Sequence, residues 1–137
     1  MKPESVKPSV LLLGGEHRNA LGIVRDLGRL GIPVYVGADR RFARSNYSRY
    51  VTRRFVYPSA EREPEAAHKA VLAKIREWRP DVLLPAMDAD WHLVYSHYDS
   101  YCRLLRVVPC PGRDLFERML NKKTMTEQAQ RCGMPTP

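Results

Sequence analysis

No apolar run in the 137-residue chain approaches the length needed to span a bilayer. The opening Met1-Lys2-Pro3-Glu4 lacks the apolar core of a secretory signal, which leads us to expect a cytoplasmic location and no membrane partner. Cysteine is scarce. Cys102, Cys110 and Cys132 are odd in number and show no C-x-x-C spacing. Reduced thiols, one or more of them buried, fit that pattern better than a disulfide framework or a zinc site. The dinucleotide fingerprint G-x-G-x-x-G is missing, because the glycines run Gly14, Gly15 and then Gly22. So are the lysine and hydroxyl of a phosphate-binding P-loop and the strained serine of a nucleophile elbow. Acidic residues vanish between Arg40 and Ala60, where Arg40, Arg41, Arg44, Arg49, Arg53 and Arg54 alternate with Phe42, Tyr47, Tyr50 and Phe55.

That basic stretch supplies much of a net charge of +8. Arginines interleaved with aromatics occur on nucleic-acid surfaces. No nucleic-acid motif accompanies them here, so a solvated loop, or a face that meets another domain carrying acidic groups, is the preferred reading. With 44% hydrophobic residues the chain suits one soluble domain with its own core.

What is present begins at Val10. Val10-Leu11-Leu12-Leu13 is a short continuous apolar run, as in a strand buried on both faces of a parallel sheet. Gly14-Gly15 permits a sharp turn, and Asn19 can cap a helix carrying Ala20, Ile23, Val24, Leu27 and Leu30 on one face. Gly22 is expected to allow close helix–sheet packing. Gly31 and Pro33 end the helix, and Val34-Tyr35-Val36 returns as a second strand. Further strands are expected at 53–57, 81–85 and 104–108, with helices at 64–78, at 112–120 and at 122–132. Another helix should carry Trp91, Val94, Tyr95, Tyr98 and Cys102 on one face. The pattern predicts a doubly wound, mainly parallel five-stranded sheet with helices on both faces, its first, second and fourth strands central.

Ligands of such sheets sit outside the carboxyl ends of the strands. That singles out Gly14, Gly15 and Glu16 after the first strand, and Asp88 after the fourth. The two loops become neighbours if those strands are adjacent. Asp88, Asp90 and His92 spell D-x-D-x-H, but helix capping accounts for either aspartate and is preferred over a metal site. Asp39 could meet a ribose, a weak reading without the glycine fingerprint.

The carboxyl end carries the most specific signal. Asn121-Lys122 opens a helix that ends in Gly133-Met134-Pro135-Thr136-Pro137. This resembles the junction in ATP-grasp ligases, where a D/N-K pair opens a helix ending in G-[IVM]-P-x-P. Leu12-Leu13-Gly14-Gly15 looks like that superfamily's glycine turn. Ser45-Asn46-Tyr47-Ser48-Arg49-Tyr50 resembles the S-x-x-x-R-Y pattern of its carboxylate–amine ligases, and Asp81-Val82-Leu83-Leu84-Pro85-Ala86-Met87-Asp88 the pattern D-x-L-x-P-x-x-D. Asparagine at 121 departs from the commoner aspartate, and both cap helices well.

The resemblance implies a flexible leader over 1–9, a pre-ATP-grasp Rossmann-like domain over 10–120, and a linker helix over 121–137 leading to an absent central lobe. It further implies an ATP-dependent ligase that joins a carboxylate to an amine or thiol through an acyl phosphate. ATP and Mg2+ would belong to the full-length enzyme, with Lys122 contacting ATP, none tightly bound to this chain alone. Expected partners are the missing lobes, on the same or a separate chain, a small-molecule carboxylate, and a second copy in a homodimer. The isolated chain should be inactive. The alternative is a basic nucleotide- or nucleic-acid-binding module on a Rossmann-like sheet.

Overall fold

The computed structural model describes residues 6–136, without the side chain of Arg113; residues 1–5 of the expected leader lie outside the described residues. Four parallel strands form one sheet: β1 (Val10–Leu13), β2 (Val34–Ala38), β3 (Val51–Val56) and β4 (Val82–Pro85), in the order β3-β2-β1-β4. Among the described residues six α-helices accompany them, α1 (Arg18–Arg29), α2 (Pro64–Trp78), α3 (Asp88–Ser96), α4 (Tyr98–Cys102), α5 (Arg113–Leu120) and α6 (Lys122–Arg131), with a short 3-10 turn over Arg44–Tyr47. None is long and apolar enough to cross a membrane among the described residues.

Side chains alternate across a strand, so β1 feeds two cores. Leu11 and Leu13 pack with Leu83, with Ala67, Val71 and Ile75 of α2, and with Leu93 and Val94 of α3. Leu12 faces the opposite layer with Val34, Val36 and the α1 residues Ala20 and Val24. All three leucines are fully buried, each contributing about 1.5–3 kcal/mol of transfer free energy. Helices therefore cover both faces, as the unbroken apolar run predicts.

Several expectations need correction. The sheet has four strands, not five. Around 104–108 only Val107 forms a parallel bridge, to Val82. Leu104 and Val107 are exposed, and Pro109 and Pro111 supply no amide hydrogens to extend a ladder. β4 consequently lies at the edge, with that single bridge beyond it, rather than at the centre. Position 19 lies inside α1, and His17 occupies the cap without a side-chain bond. The expected helix from Trp91 to Cys102 is broken at His97, whose ring stacks on His68 of α2 at 3.6 Å and 10°. No cysteine is buried: Cys102 and Cys132 are exposed and Cys110 half-buried.

Gly22 is not the packing glycine either; a Cβ there would meet nothing within 4 Å. Gly28 has that role, since its Cβ would lie 2.3 Å from the Cβ of Tyr50. Gly22→Ala should therefore raise stability by about 0.5–1 kcal/mol through helix propensity. Gly28→Ala should lower it, by about 1–3 kcal/mol through overpacking. Urea midpoints of the two variants check both signs.

Candidate functional site

β1 and β4 pair in register from Val10↔Val82 to Leu13↔Pro85, so the loops that follow them emerge side by side. β2 flanks β1 on its other edge. The chain thus leaves β1 in one direction and returns on the opposite side, which makes the carboxyl ends of β1 and β4 the switch point of the sheet. Gly14, Gly15, Glu16 and Asp88 all sit there.

Gly14 adopts φ +81°, a left-handed conformation that glycine tolerates. Its N–H donates to the Tyr57 hydroxyl oxygen at 3.1 Å, and that hydroxyl donates to Asp90 Oδ1 at 2.6 Å. A Cβ on Gly14 would stand 2.7 Å from Asp90 Oδ2. Tyr57 and Asp90 are 2% and 3% exposed, so the link between the first loop, the end of β3 and α3 is dry. Burial pushes the Asp90 carboxyl up to about 6, against the pull of the Tyr57 bond. The Tyr57 hydroxyl is raised as well, by burial first and by the neighbouring Asp90 second.

Gly15 is held from the other side. Its N–H donates to the Gly37 carbonyl at 2.9 Å, and its own carbonyl accepts from the Ser45 N–H and hydroxyl. A Cβ would collide with Val36 Cγ1 at 2.5 Å and Ser45 Oγ at 2.8 Å. Both glycines thus exist where protein crowds the turn. Glu16 lies at the rim, its side chain 10% exposed, with Oε2 accepting the Asp39 N–H at 3.2 Å and Oε1 3.1 Å from His17 Nε2. Asp39 in turn pairs with Arg40 at 3.0 Å. The loop is tied to the ends of β2, β3 and α3, and its titratable chemistry is a largely buried carboxylate beside a more exposed imidazole.

Asp88 is exposed at the start of α3, and no side chain caps that helix. Capping is accordingly not the role of Asp90, which turns inward to Tyr57 because a carboxyl there completes the Gly14 link. Among the described residues no group of three or more potential metal ligands forms. Lys122 lies on α6, exposed beside the equally exposed Lys123. Asn121 does cap that helix, Oδ1 accepting the Lys123 N–H at 3.0 Å. Sequence reasoning missed Tyr57 and misread Asp90. The serine opening the S-x-x-x-R-Y pattern, Ser45, was the available pointer to the Gly15 contact.

Solved structures share this architecture. The L-amino acid ligase from Bacillus licheniformis superposes with TM-score 0.66 at 18% identity, over 97% of this chain and 32% of that one. The biotin carboxylase domain of a single-chain bacterial carboxylase gives 0.63 at 18%, over 93% and 30%. The biotin carboxylase subunit of pyruvate carboxylase gives 0.63 at 13%, over 94% and 28%. The chain shares the fold of these portions of a ligase and of two biotin carboxylases. The chain spans about a third of the length of the first of these structures. No family model matches it, and comparison with curated proteins finds no match.

The Asp90 carboxyl allows a signed test. Its folded pKa of about 6 lies above the ordinary 3.8, so the unfolded chain loses this proton first as pH rises. Stability is greatest below the lower value, falls through the interval between the two and is flat above it, the loss being roughly 2–3 kcal/mol. Asp90→Asn, which can still accept from Tyr57, should flatten that dependence and raise stability at neutral pH. Tyr57→Phe should instead cost about 1–3 kcal/mol by stranding the Gly14 N–H. Urea denaturation across a pH series reads both.

Proposed function

We propose that this chain is the substrate-side, amino-terminal domain of an ATP-dependent ligase of the ATP-grasp type, one that joins a carboxylate to an amine or thiol and is inactive by itself. The observation that carries the reading is the agreement of two independent matches. The fold follows about a third of an L-amino acid ligase, while Asn121-Lys122 and Gly133-Met134-Pro135-Thr136-Pro137 resemble that superfamily's junction at the matching end of the chain. Unpaired cysteines suit a reducing compartment, and a cytoplasmic location is proposed with it.

Gly14, Gly15, Glu16 and Asp88 would border the substrate side of the cleft. Glu16, Asp39, Asp88 and Asp90 make the loop region a poor cradle for a triphosphate, which supports nucleotide binding elsewhere. In this reading Glu16 and His17 position or deprotonate the substrate, and the buried Tyr57–Asp90 pair fixes the turn on which Glu16 stands. ATP would supply the phosphoryl group that activates the carboxylate, and magnesium would be held by later lobes.

Lys122 fits the nucleotide role. The first turn of α6 has no acidic residue, and an exposed cation there opposes the helix dipole, a cost that a phosphate offsets. Lys122 and Lys123 point about 100° apart, so one of the two is favoured. The hairpin of α5 and α6 supports missing lobes too. Leu115, Met119, Met125 and Met134 are each about half exposed and line a cavity of about 280 Å3, apolar surface that a following lobe would cover.

The pure chain should show no magnesium-dependent ATP hydrolysis; turnover abolished by substitutions within it would overturn the reading. In a polypeptide extended through the downstream reading frame, Lys122→Ala should weaken ATP binding about tenfold or more. Lys123→Ala should change it less than about twofold. Calorimetric titration with a non-hydrolysable ATP analogue makes the comparison, and a larger loss at Lys123 would reverse the assignment.

A further inference from the structure

β3 ends the sheet on one side. It pairs with β2 alone, and its outer edge has no strand beside it among the described residues. The β2–β3 register shifts between Val34↔Val51 and Tyr35↔Arg53, which leaves Thr52 as the extra residue of a bulge. Thr52, Arg53 and Arg54 are exposed. Along this edge runs a groove of about 650 Å3 whose lining includes Asn46, Arg49, Thr52, Arg53, Arg54 and Trp78.

The groove is built and basic. Trp78 meets Tyr35 and Phe55 edge-on at 5.6 and 5.4 Å, a firm floor. Arg53 lies over the Tyr35 and Trp78 rings, 5.5 and 5.7 Å from their centroids, and Arg49 over Tyr50 at 4.9 Å. Arg54 donates to the Asn46 carbonyl at 3.0 Å. None of the three is ion-paired among the described residues. Glu77, the carboxylate that Arg53 influences, is already bound to Lys74 at 2.6 Å. Asn46 is 5% exposed, and its Oδ1 is a buried acceptor without a partner among the described residues.

A bare edge and unpaired arginines together select an occupant. Arginines and a bulge also guard an edge against indiscriminate pairing. A second copy would set arginine against arginine, and a neutral strand would gain only backbone bonds. An acidic strand gains both sets of interactions. Nucleic acid is disfavoured because Arg53 and Lys74, the latter at 5.1 Å, already cover the Trp78 ring on which a base would stack. We propose that the outer edge of β3 is a docking site for an acidic, extended segment of a partner polypeptide, which adds to the sheet beside β3. This stands apart from the ligase reading, since it rests on no residue of the switch point or of α6.

The test uses the intact chain and a fluorescein-labelled peptide of about ten residues alternating glutamate with threonine. A lysine–threonine peptide and an oligodeoxythymidine of equal length are the comparators. Fluorescence anisotropy should show binding of the acidic peptide that weakens between about 50 and 300 mM salt, and none of the lysine peptide. Arg49→Glu with Arg53→Glu should reduce that affinity about tenfold or more, while Arg62→Glu on the loop before α2 leaves it within about twofold. Should the double variant fail to fold, Arg49→Gln with Arg53→Gln reads the same loss. Hydrogen exchange must slow across residues 51–56 when the peptide binds. Absence of binding, binding without that slowing, tighter binding of the oligonucleotide, or an equal loss with Arg62→Glu would each overturn the proposal. So would self-association through the same edge.

Discussion

Everything in this fold hangs on β1 being enclosed on all sides. Its two edges are bonded to β2 and β4, its faces are sealed by α1 on one side and by α2 and α3 on the other, and its end is closed by a glycine turn. A strand of four apolar residues makes no polar side-chain contact of its own, so its position is set by burial and by backbone pairing alone. The chemistry can therefore lie only where the strand stops.

There, one hydrogen-bonded relay does the positioning. The Gly14 amide, the Tyr57 hydroxyl and the Asp90 carboxyl join three elements through a dry interior. Charge inside a core is costly, and here the cost appears as a carboxyl held at a raised pKa rather than as an ion pair. What the arrangement secures is the shape of the turn, with Glu16 and His17 presented at its rim.

The sequence made this scaffold legible wherever a local pattern coincided with a tertiary requirement. Leu11, Leu12 and Leu13 form an unbroken run because both faces of β1 are covered, and the 64–78 helix is bounded by its own prolines. Legibility failed where a long-range partner decided the outcome. Asp90 has the composition of a helix cap, and only Tyr57, 33 residues away, turns it inward. Gly22 and Gly28 look alike in the sequence, and the ring of Tyr50 distinguishes them. Leu104 to Val108 has a strand's composition but no neighbour to pair with beyond a single bridge. Of the candidate site, the glycine turn and Glu16 could be placed from the pattern, and the S-x-x-x-R-Y serine pointed to Ser45; Tyr57 could not be placed, since nothing local marks a residue that closes a loop from across the sheet.

The parallel pairing of β1 with β4 has a consequence for how the molecule comes to exist. Val10 finds Val82 as its partner, and Ser9 is bonded to Asp81, 72 positions further along. A nascent chain emerging amino end first must hold Leu11, Leu12 and Leu13 half-sheltered until Pro85 has left the ribosome. Loop closure over that span is slow, and partly formed sheets with open edges are aggregation-prone. Synthesis is then an interval in which the open edges of this sheet are exposed.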